Sequence, residues 1–511
     1  MIRRSVLSTL LLPIFSLCLP VTAPAQVAQE SVDLSVVQRI REEGLERSHI
    51  EELAHYLTDV NGPRLTGSPG MKRANDWTAA TFRGWGLESV TVEPWGEFGR
   101  GWEQVNYMGR ILTPYRQELP GIPSAWTGST DGTVRGHAVV VSLETVADVQ
   151  GYAGKLKDAV LLIDAPQDVE PEWEHVDRRT SLDELLAPPA VRSARQFFEA
   201  DRQARMERRR AQREVSDALS QLAQSEGALA ILRISGAGDG VIRGGGSGSR
   251  AKGDPEGLPQ VVIPREQYNQ IWRNVSGGTP VELELLVTNR FYEDDLKAYN
   301  TLAEIPGTDK ADEYVMLGGH LDSWHYGTGG SDNAAGSVVM MEAVRILKAL
   351  GLEPRRTVRI ALWSGEEQGL LGSRAWVANH PEMHAKISAY VNVDNGTGKI
   401  RGIWDQSNER AIPVFEQILW PFRDLGVVAV KHGDTGGTDH LSFDAAGIPG
   451  FNFIQDPIEY NQNVHHTNLD NFDHLQIEDL KQAAVVVAAT VYALAQRDEM
   501  MPRKSDRPVS N

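Results

Sequence analysis

Two hydrophobic rhythms alternate along this chain. Over 34–57 the apolar positions Val36, Val37, Ile40, Leu45, Ile50, Leu53 and Leu57 fall at helical spacing. A turn-rich passage follows at 61–70, then an amphipathic helix is expected over 75–85 and a short strand over 89–92. Beyond about Pro114 the rhythm shortens to β runs separated by turns, at 138–142, 159–163, 228–232 and 260–263. Between the second and third of these, 192–225 is dense in Arg, Glu, Gln and Ala and reads as a solvated helix or helical hairpin. The glycine-rich stretch 236–253 lacks the Gly-Lys-Ser/Thr ending of a phosphate loop, so a flexible loop is expected there. From about Asn289 the longer alternation returns, with strands expected at 314–317, 357–363, 388–393 and 451–454 and helices at 334–350, 412–422 and 477–495. The pattern predicts one α/β domain split in sequence by an inserted, β-rich lobe.

Length, charge and cysteine usage narrow this picture. At 511 residues the chain exceeds one ordinary domain. A formal net charge of -18 argues against a sequence-independent grip on nucleic acid, whose phosphates demand a basic surface. Arg3 and Arg4 precede an apolar run ending at Leu19, and Ala23-Pro24-Ala25 fits the small-residue pattern before a cleavage point. Residues 1–25 therefore read as a signal peptide, which predicts an exported, periplasmic or secreted protein. The run is too short, and too interrupted by Pro13 and Pro20, for a membrane anchor, and no later segment is expected to span a bilayer. The one cysteine, Cys18, lies inside this leader, so the mature chain is expected to carry no disulfide.

The candidate chemistry sits where the later strands end. The strand at 314–317 runs into His320 and Asp322, with Asp332 on the next loop; 357–363 runs into Glu366 and Glu367; 388–393 runs into Asp394; and the loop after 454 reaches His465 and His466. Singly, an acid after a strand is a turn former or helix cap. Together they converge on one edge of a sheet, where open α/β folds place their chemistry. Zinc takes imidazole nitrogen and carboxylate oxygen, and two cations roughly 3.5–4 Å apart need a bridging carboxylate with terminal ligands on both sides. Asp332 is the natural bridge, with His320 and Asp394 completing one ion and Glu367 and His466 the other. Glu366 is then left as general base beside an activated water. Asp322 fits as acceptor for the His320 ring N–H, fixing its tautomer.

The combined pattern His320-x-Asp322, Ser331-Asp332-Asn333-x-x-Gly336, Glu366-Glu367, Asp394, Thr438-Asp439-His440 and His466-Thr467-x-x-Asp470 resembles the co-catalytic zinc exopeptidases, which include bacterial leucyl aminopeptidases and glutamate carboxypeptidases. The stretch Gly318-Gly319-His320-Leu321-Asp322-Ser323-Trp324 is especially similar to the carboxypeptidase Q branch. The resemblance covers essentially the mature chain. It implies a mixed sheet sandwiched by helices with an inserted β-rich protease-associated domain, giving boundaries of 26–113 and 289–500 for the peptidase domain, 114–288 for the insertion and 501–511 for a disordered tail. It implies two Zn²⁺ on the ligands above, a peptide or dipeptide substrate, and leaves room for a homodimer. Relatives hold the developing oxyanion with a tyrosine, in the glutamate carboxypeptidases just before the last histidine ligand. That position here is His465, so His465 or Tyr460 is the candidate for this task, and His325 and His440 are candidates for the pocket wall. Aminopeptidase action is the first expectation. Carboxypeptidase or dipeptidase action of the carboxypeptidase Q type is the alternative, and a receptor-like relative without catalysis is a third, which the retention of Glu366 beside every ligand disfavours.

Overall fold

A computed structural model of the chain describes residues 30, 32–171, 173, 178–187 and 195–504; the expected leader and 505–511 lie outside them. The hydrophobic runs form two separate eight-stranded sheets. At the centre of one lie four parallel neighbours, β1 (Lys310–His320), β2 (Arg356–Trp363), β3 (Ile387–Asn392) and β4 (Gly450–Gln455), in the spatial order β2-β1-β3-β4. Antiparallel strands flank them, Lys297–Ile305 against β2 with Glu88–Glu97 outside it, and Ile400–Trp404 against β4.

Strand periodicity builds two cores from the same strands. Val315 and Leu317 of β1 and Val358, Ile360 and Leu362 of β2 face one way, into the large cluster that includes α1 (Ala335–Ala349) and α2 (Ile477–Gln496). Met316, Ala361 and Trp363 face the other way, packing with Trp376, Tyr390 and Phe443. Burial on both faces is why these strands read as continuous apolar runs, as parallel sheets do. Among the described residues, no helix is long and apolar enough to cross a membrane.

The second sheet forms the inserted lobe, in the order Gln117–Glu118, Gly101–Ile111, Glu282–Tyr292, Val134–Val140, Ala159–Leu162, Ala230–Ile234, Gln260–Ile263 and Ile122–Pro123. Its two longest strands, Gly101–Ile111 and Glu282–Tyr292, pair with each other across the chain crossovers. The strands of this sheet lie between 101 and 292. Alternation is weak in the exposed half of Gly101–Ile111, so its strand character comes from that long-range pairing. The charged stretch becomes one helix, Arg195–Glu226, whose end buries Leu219 and Ala223 against the lobe. Residues 501–504, expected in a disordered tail, are packed: Met501 is buried and its N–H donates to Ser388 Oγ, while Arg503 donates to the Gly447 carbonyl.

Candidate metal centre

All four central strands release their chains at the same edge, and the candidate residues lie at those exits. His320 closes β1, Glu366 and Glu367 follow β2, Asp394 follows β3, and Tyr460, His465 and His466 lie on the loop after β4. Asp332 is on the turn that leads into α1. Asn333 staples that turn, its Nδ2 donating to the Val393 carbonyl and its Oδ1 accepting from Gly336 N–H. Gly336 is required there, because a Cβ would lie 2.1 Å from the Val393 oxygen.

The two oxygens of Asp332 face different histidines. Oδ1 lies 3.3 Å from His320 Nε2, and Oδ2 lies 3.2 Å from His466 Nε2. Asp394 Oδ1 approaches His320 Nε2 at 3.4 Å, and Glu367 Oε2 approaches His466 Nε2 at 2.9 Å. Glu366 Oε2 stands back, 4.0 Å from His320 Nε2. Two sets of donor atoms converge, His320 with Asp332 and Asp394, and Asp332 with His465 and His466, each set within 4.8 Å.

This arrangement is short of positive charge. His320 Nε2, Asp332 Oδ2 and Asp394 Oδ1 are buried without a hydrogen-bond partner, a condition rare in folded proteins. Burial pushes Glu366 well above the usual carboxylate range, and the neighbouring carboxylates of Asp394, Asp439 and Glu367 add to it against the pull of His320. Burial likewise pushes Glu367 and Asp439 up to about 7. Burial opposes the imidazolium of His320 and of His466, yet the surrounding acids outweigh it, holding His320 well above its ordinary value and His466 up to about 10. Asp332 is held well below the usual range, because the two histidines facing it outweigh its burial. Divalent cations would partner the orphaned atoms and neutralise the surplus of acids, and imidazole with carboxylate is a donor set that zinc takes. The residues present fit such ions.

Asp322 is placed differently from expectation. His320 Nδ1 lies 2.9 Å from the Asp322 backbone carbonyl, while the nearer carboxylate oxygen is 3.6 Å away. The carboxylate instead accepts from Thr66 Oγ1 and from the backbone N–H groups of Glu366 and Glu367. One residue therefore orients the histidine through its main chain and seats the Glu366-Glu367 turn through its side chain.

The pocket candidates separate. His465 stacks on His466, with ring centres 3.8 Å apart, and its Nε2 is 3.6 Å from Asp332 Oδ2. Extended backbone would point adjacent side chains apart, but His466 takes a left-handed φ of 61° and both rings face Asp332. The Tyr460 ring lies 5.0 Å from that of His465, and burial with the surrounding acids keeps its hydroxyl protonated. His440 is fully buried at the start of the helix His440–Ala445, its Nε2 against the Thr435 carbonyl, and burial lowers it to about 4. His325 turns away from the site, with Nε2 2.7 Å from the Pro123 carbonyl of the inserted lobe and its ring against Trp102. Trp363 is core, but Trp324 stands edge-on to His466 and to Trp126 of the lobe.

Three supports were not legible from local sequence. Arg64 is fully buried and donates to the carbonyls of Leu321, Thr328, Gly329, Leu57 and Gly62, locking the loop beneath the site. Asp470 accepts from the N–H groups of Ser331 and Asp332 and so positions Asp332. The glycine-rich stretch is no free loop, since Gly244 N–H donates to the His466 carbonyl. For Asp470 the one available signal was an acid three positions past the His466-Thr467 pair.

Residues 300–491 match Peptidase family M28. Carboxypeptidase Q of Bos taurus is 26% identical over 480 residues, 93% of this chain and 90% of that protein. The crystal structure of a Peptidase M28 precursor from Shewanella amazonensis SB2B superposes with a TM-score of 0.67 at 26% identity, covering 93% of this chain and 99% of that one. A zinc aminopeptidase from Bacillus subtilis shares the fold at a TM-score of 0.56 and 19% identity, covering 88% and 95%.

Proposed function

We propose that the chain, whose residues 300–491 match Peptidase family M28, is a zinc-dependent exopeptidase that hydrolyses the peptide bond next to a free chain terminus, with amino-terminal action as the first reading. The observation that carries it is Asp332, whose two oxygens face His320 on one side and His466 on the other. In this reading His320, Asp332 and Asp394 hold one cation, and Asp332, Glu367 and His466 hold a second. Bound there, such cations polarise the scissile carbonyl and bring the pKa of water down to about 7.

The protein's own groups then divide the work. Glu366 is the candidate that touches no histidine closely, and its carboxylate takes the proton of the attacking water and delivers it to the leaving amine as the C–N bond breaks. Asp322 keeps the Glu366 backbone in place and Asp470 does the same for Asp332. The Tyr460 hydroxyl, kept protonated, is a donor for the developing oxyanion, with His465 beside it. The amino-terminal reading is supported by charge: Arg64 spends its N–H groups on main-chain carbonyls, whereas Asp439 keeps an unpartnered oxygen among the acids, suited to an ammonium. Similarity to carboxypeptidase Q along 93% of the chain favours the second reading, carboxypeptidase or dipeptidase action.

Product analysis on one peptide series, acetylated at the amino end or amidated at the carboxyl end, separates these. Loss of cleavage on acetylation supports the first reading, and loss on amidation the second. Glu366→Gln is expected to lower kcat by about 10²–10⁴-fold with metal content retained. A zinc-loaded protein inactive on every member of the series would remove the enzyme reading.

A further inference from the structure

The two halves of the candidate centre are built from different material. His320, Glu366, Glu367 and Asp394 come directly off three adjoining parallel strands, and Asp332 is fixed by Asp470 within the same domain. The loop that carries His465 and His466 is tied to the same domain at Asp470, but its middle is held from elsewhere. Among the described residues, the backbone groups of 461–468 bond locally within 459–471, and their hydrogen bonds to more distant segments go to Ile242, Arg243 or Gly244 of the inserted lobe. Arg243 Nη2 donates to the carbonyls of Asn461 at 3.1 Å and Gln462 at 2.8 Å. Gly244 N–H donates to the His466 carbonyl, and Asn468 N–H donates to the Ile242 carbonyl. The Asn468 side chain completes the contact by accepting from Ile242 N–H at 2.7 Å. Glycine is needed at 244, where a Cβ would lie 2.3 Å from the Tyr326 hydroxyl.

The same lobe holds the base of the loop. Asp456, fully buried at the exit of β4, accepts from Arg179 and from the Thr180 N–H as well as from Arg401. Arg179 also bridges to Asp479 of α2, and Arg178 pairs with Ile458. The histidine loop is therefore gripped at both ends by segments distant in sequence.

We propose that the inserted lobe sets the position of His466, and so controls the cation held by Glu367 and His466, through Arg243 and the Ile242–Gly244 segment acting on the loop 461–468. Arg243 is a positioning residue: it reaches the centre only by fixing the backbone on which His466 rides. This inference rests on the two-cation reading for its metal consequence, but the mechanical coupling does not depend on it. His320 bonds only within its own domain, so a cation held by His320 and Asp394 would depend on the lobe less than one held by Glu367 and His466.

The test uses the full chain with Arg243→Ala, and Arg243→Lys as the conservative partner. Hydrogen exchange of metal-free protein is followed in peptides covering 458–468 and, as an internal control, 314–320. Arg243→Ala is expected to speed exchange about tenfold in 458–468 only, because guanidinium bonds to two carbonyls are lost. Titration with zinc is expected to show one equivalent weakened by about tenfold or more and the other unchanged. Arg243→Lys restores part of both. Unchanged exchange in 458–468, or equal acceleration in the control peptide, overturns the coupling. Wild-type protein that takes up a single equivalent overturns the two-cation reading while the exchange comparison still decides the coupling. Equal weakening of both equivalents overturns the assignment of the lobe to one of them.

Discussion

Arg64 works at the scale of single hydrogen bonds. Burial lowers its pKa to about 10, so it is charged at neutral pH, and Asp470, Asp322 and Asp332 supply the countercharge. Removing the guanidinium leaves the carbonyls of Leu321, Thr328 and Gly329 unpaired in the interior and the nearby acids uncompensated. Arg64→Met is expected to destabilise the fold by about 3–5 kcal/mol, read from urea unfolding, because breaking a buried charged network strands its partners. A change below about 1 kcal/mol would mean that water takes over these carbonyls. His320, Glu366, Glu367 and Asp394 are visible in the sequence as ligand-type residues just after apolar runs, and Asp332 and His466 as such residues on the loops beyond them. Arg64 is not, since its acceptors Thr328 and Gly329 lie 264 and 265 positions away.

At the scale of elements, the contact between the first sheet and the inserted lobe includes a titratable group. His325 follows β1 and packs on Trp102 and the Pro123 carbonyl, and burial lowers its pKa from 6.5 to about 4. Between those values the unfolded chain binds a proton that the folded chain does not, so stability falls as pH drops from about 6.5 toward 4. His325→Gln keeps a donor for Pro123 and removes the titration. It is expected to flatten the dependence of the unfolding temperature on pH across that window, and an unchanged slope would show that other groups carry the acid sensitivity. Element boundaries divide along the same line. The central strands and the long helices α1 and α2 were legible because their hydrophobic periods are locally complete. The edges of the lobe were not, because Gly101–Ile111 becomes a strand through pairing with Glu282–Tyr292.

For the whole molecule, the surplus of buried acids couples stability to cations. Their mutual repulsion is present whenever the protein is folded and the ions are absent, and disappears on unfolding. Removing metal with a chelator is expected to lower the unfolding temperature, and restoring zinc to recover it. Saturation at a hundredfold over Kd is worth about 2.7 kcal/mol. Identical melting with and without metal, with the metal content verified, would separate this cluster from metal binding. The lobe belongs to the same argument, since it closes over the histidine loop and brings Trp324 and Trp126 together near His466.

The sequence by itself determined the α/β class and pointed to the candidate residues at the strand ends, because apolar periodicity and strand-end chemistry are local properties. It also carried a motif combination specific enough to indicate the peptidase family. The tertiary structure alone decided how Asp322 divides its main chain and side chain between two neighbours and that Asp470 serves Asp332. It also decided that a glycine-rich stretch from another lobe holds the loop of His466. Apart from the local His320–Asp322 contact, those relations are hydrogen bonds between segments distant in sequence, such as the 138 positions between Asp332 and Asp470, and no local pattern encodes which distant acceptor a buried N–H will meet.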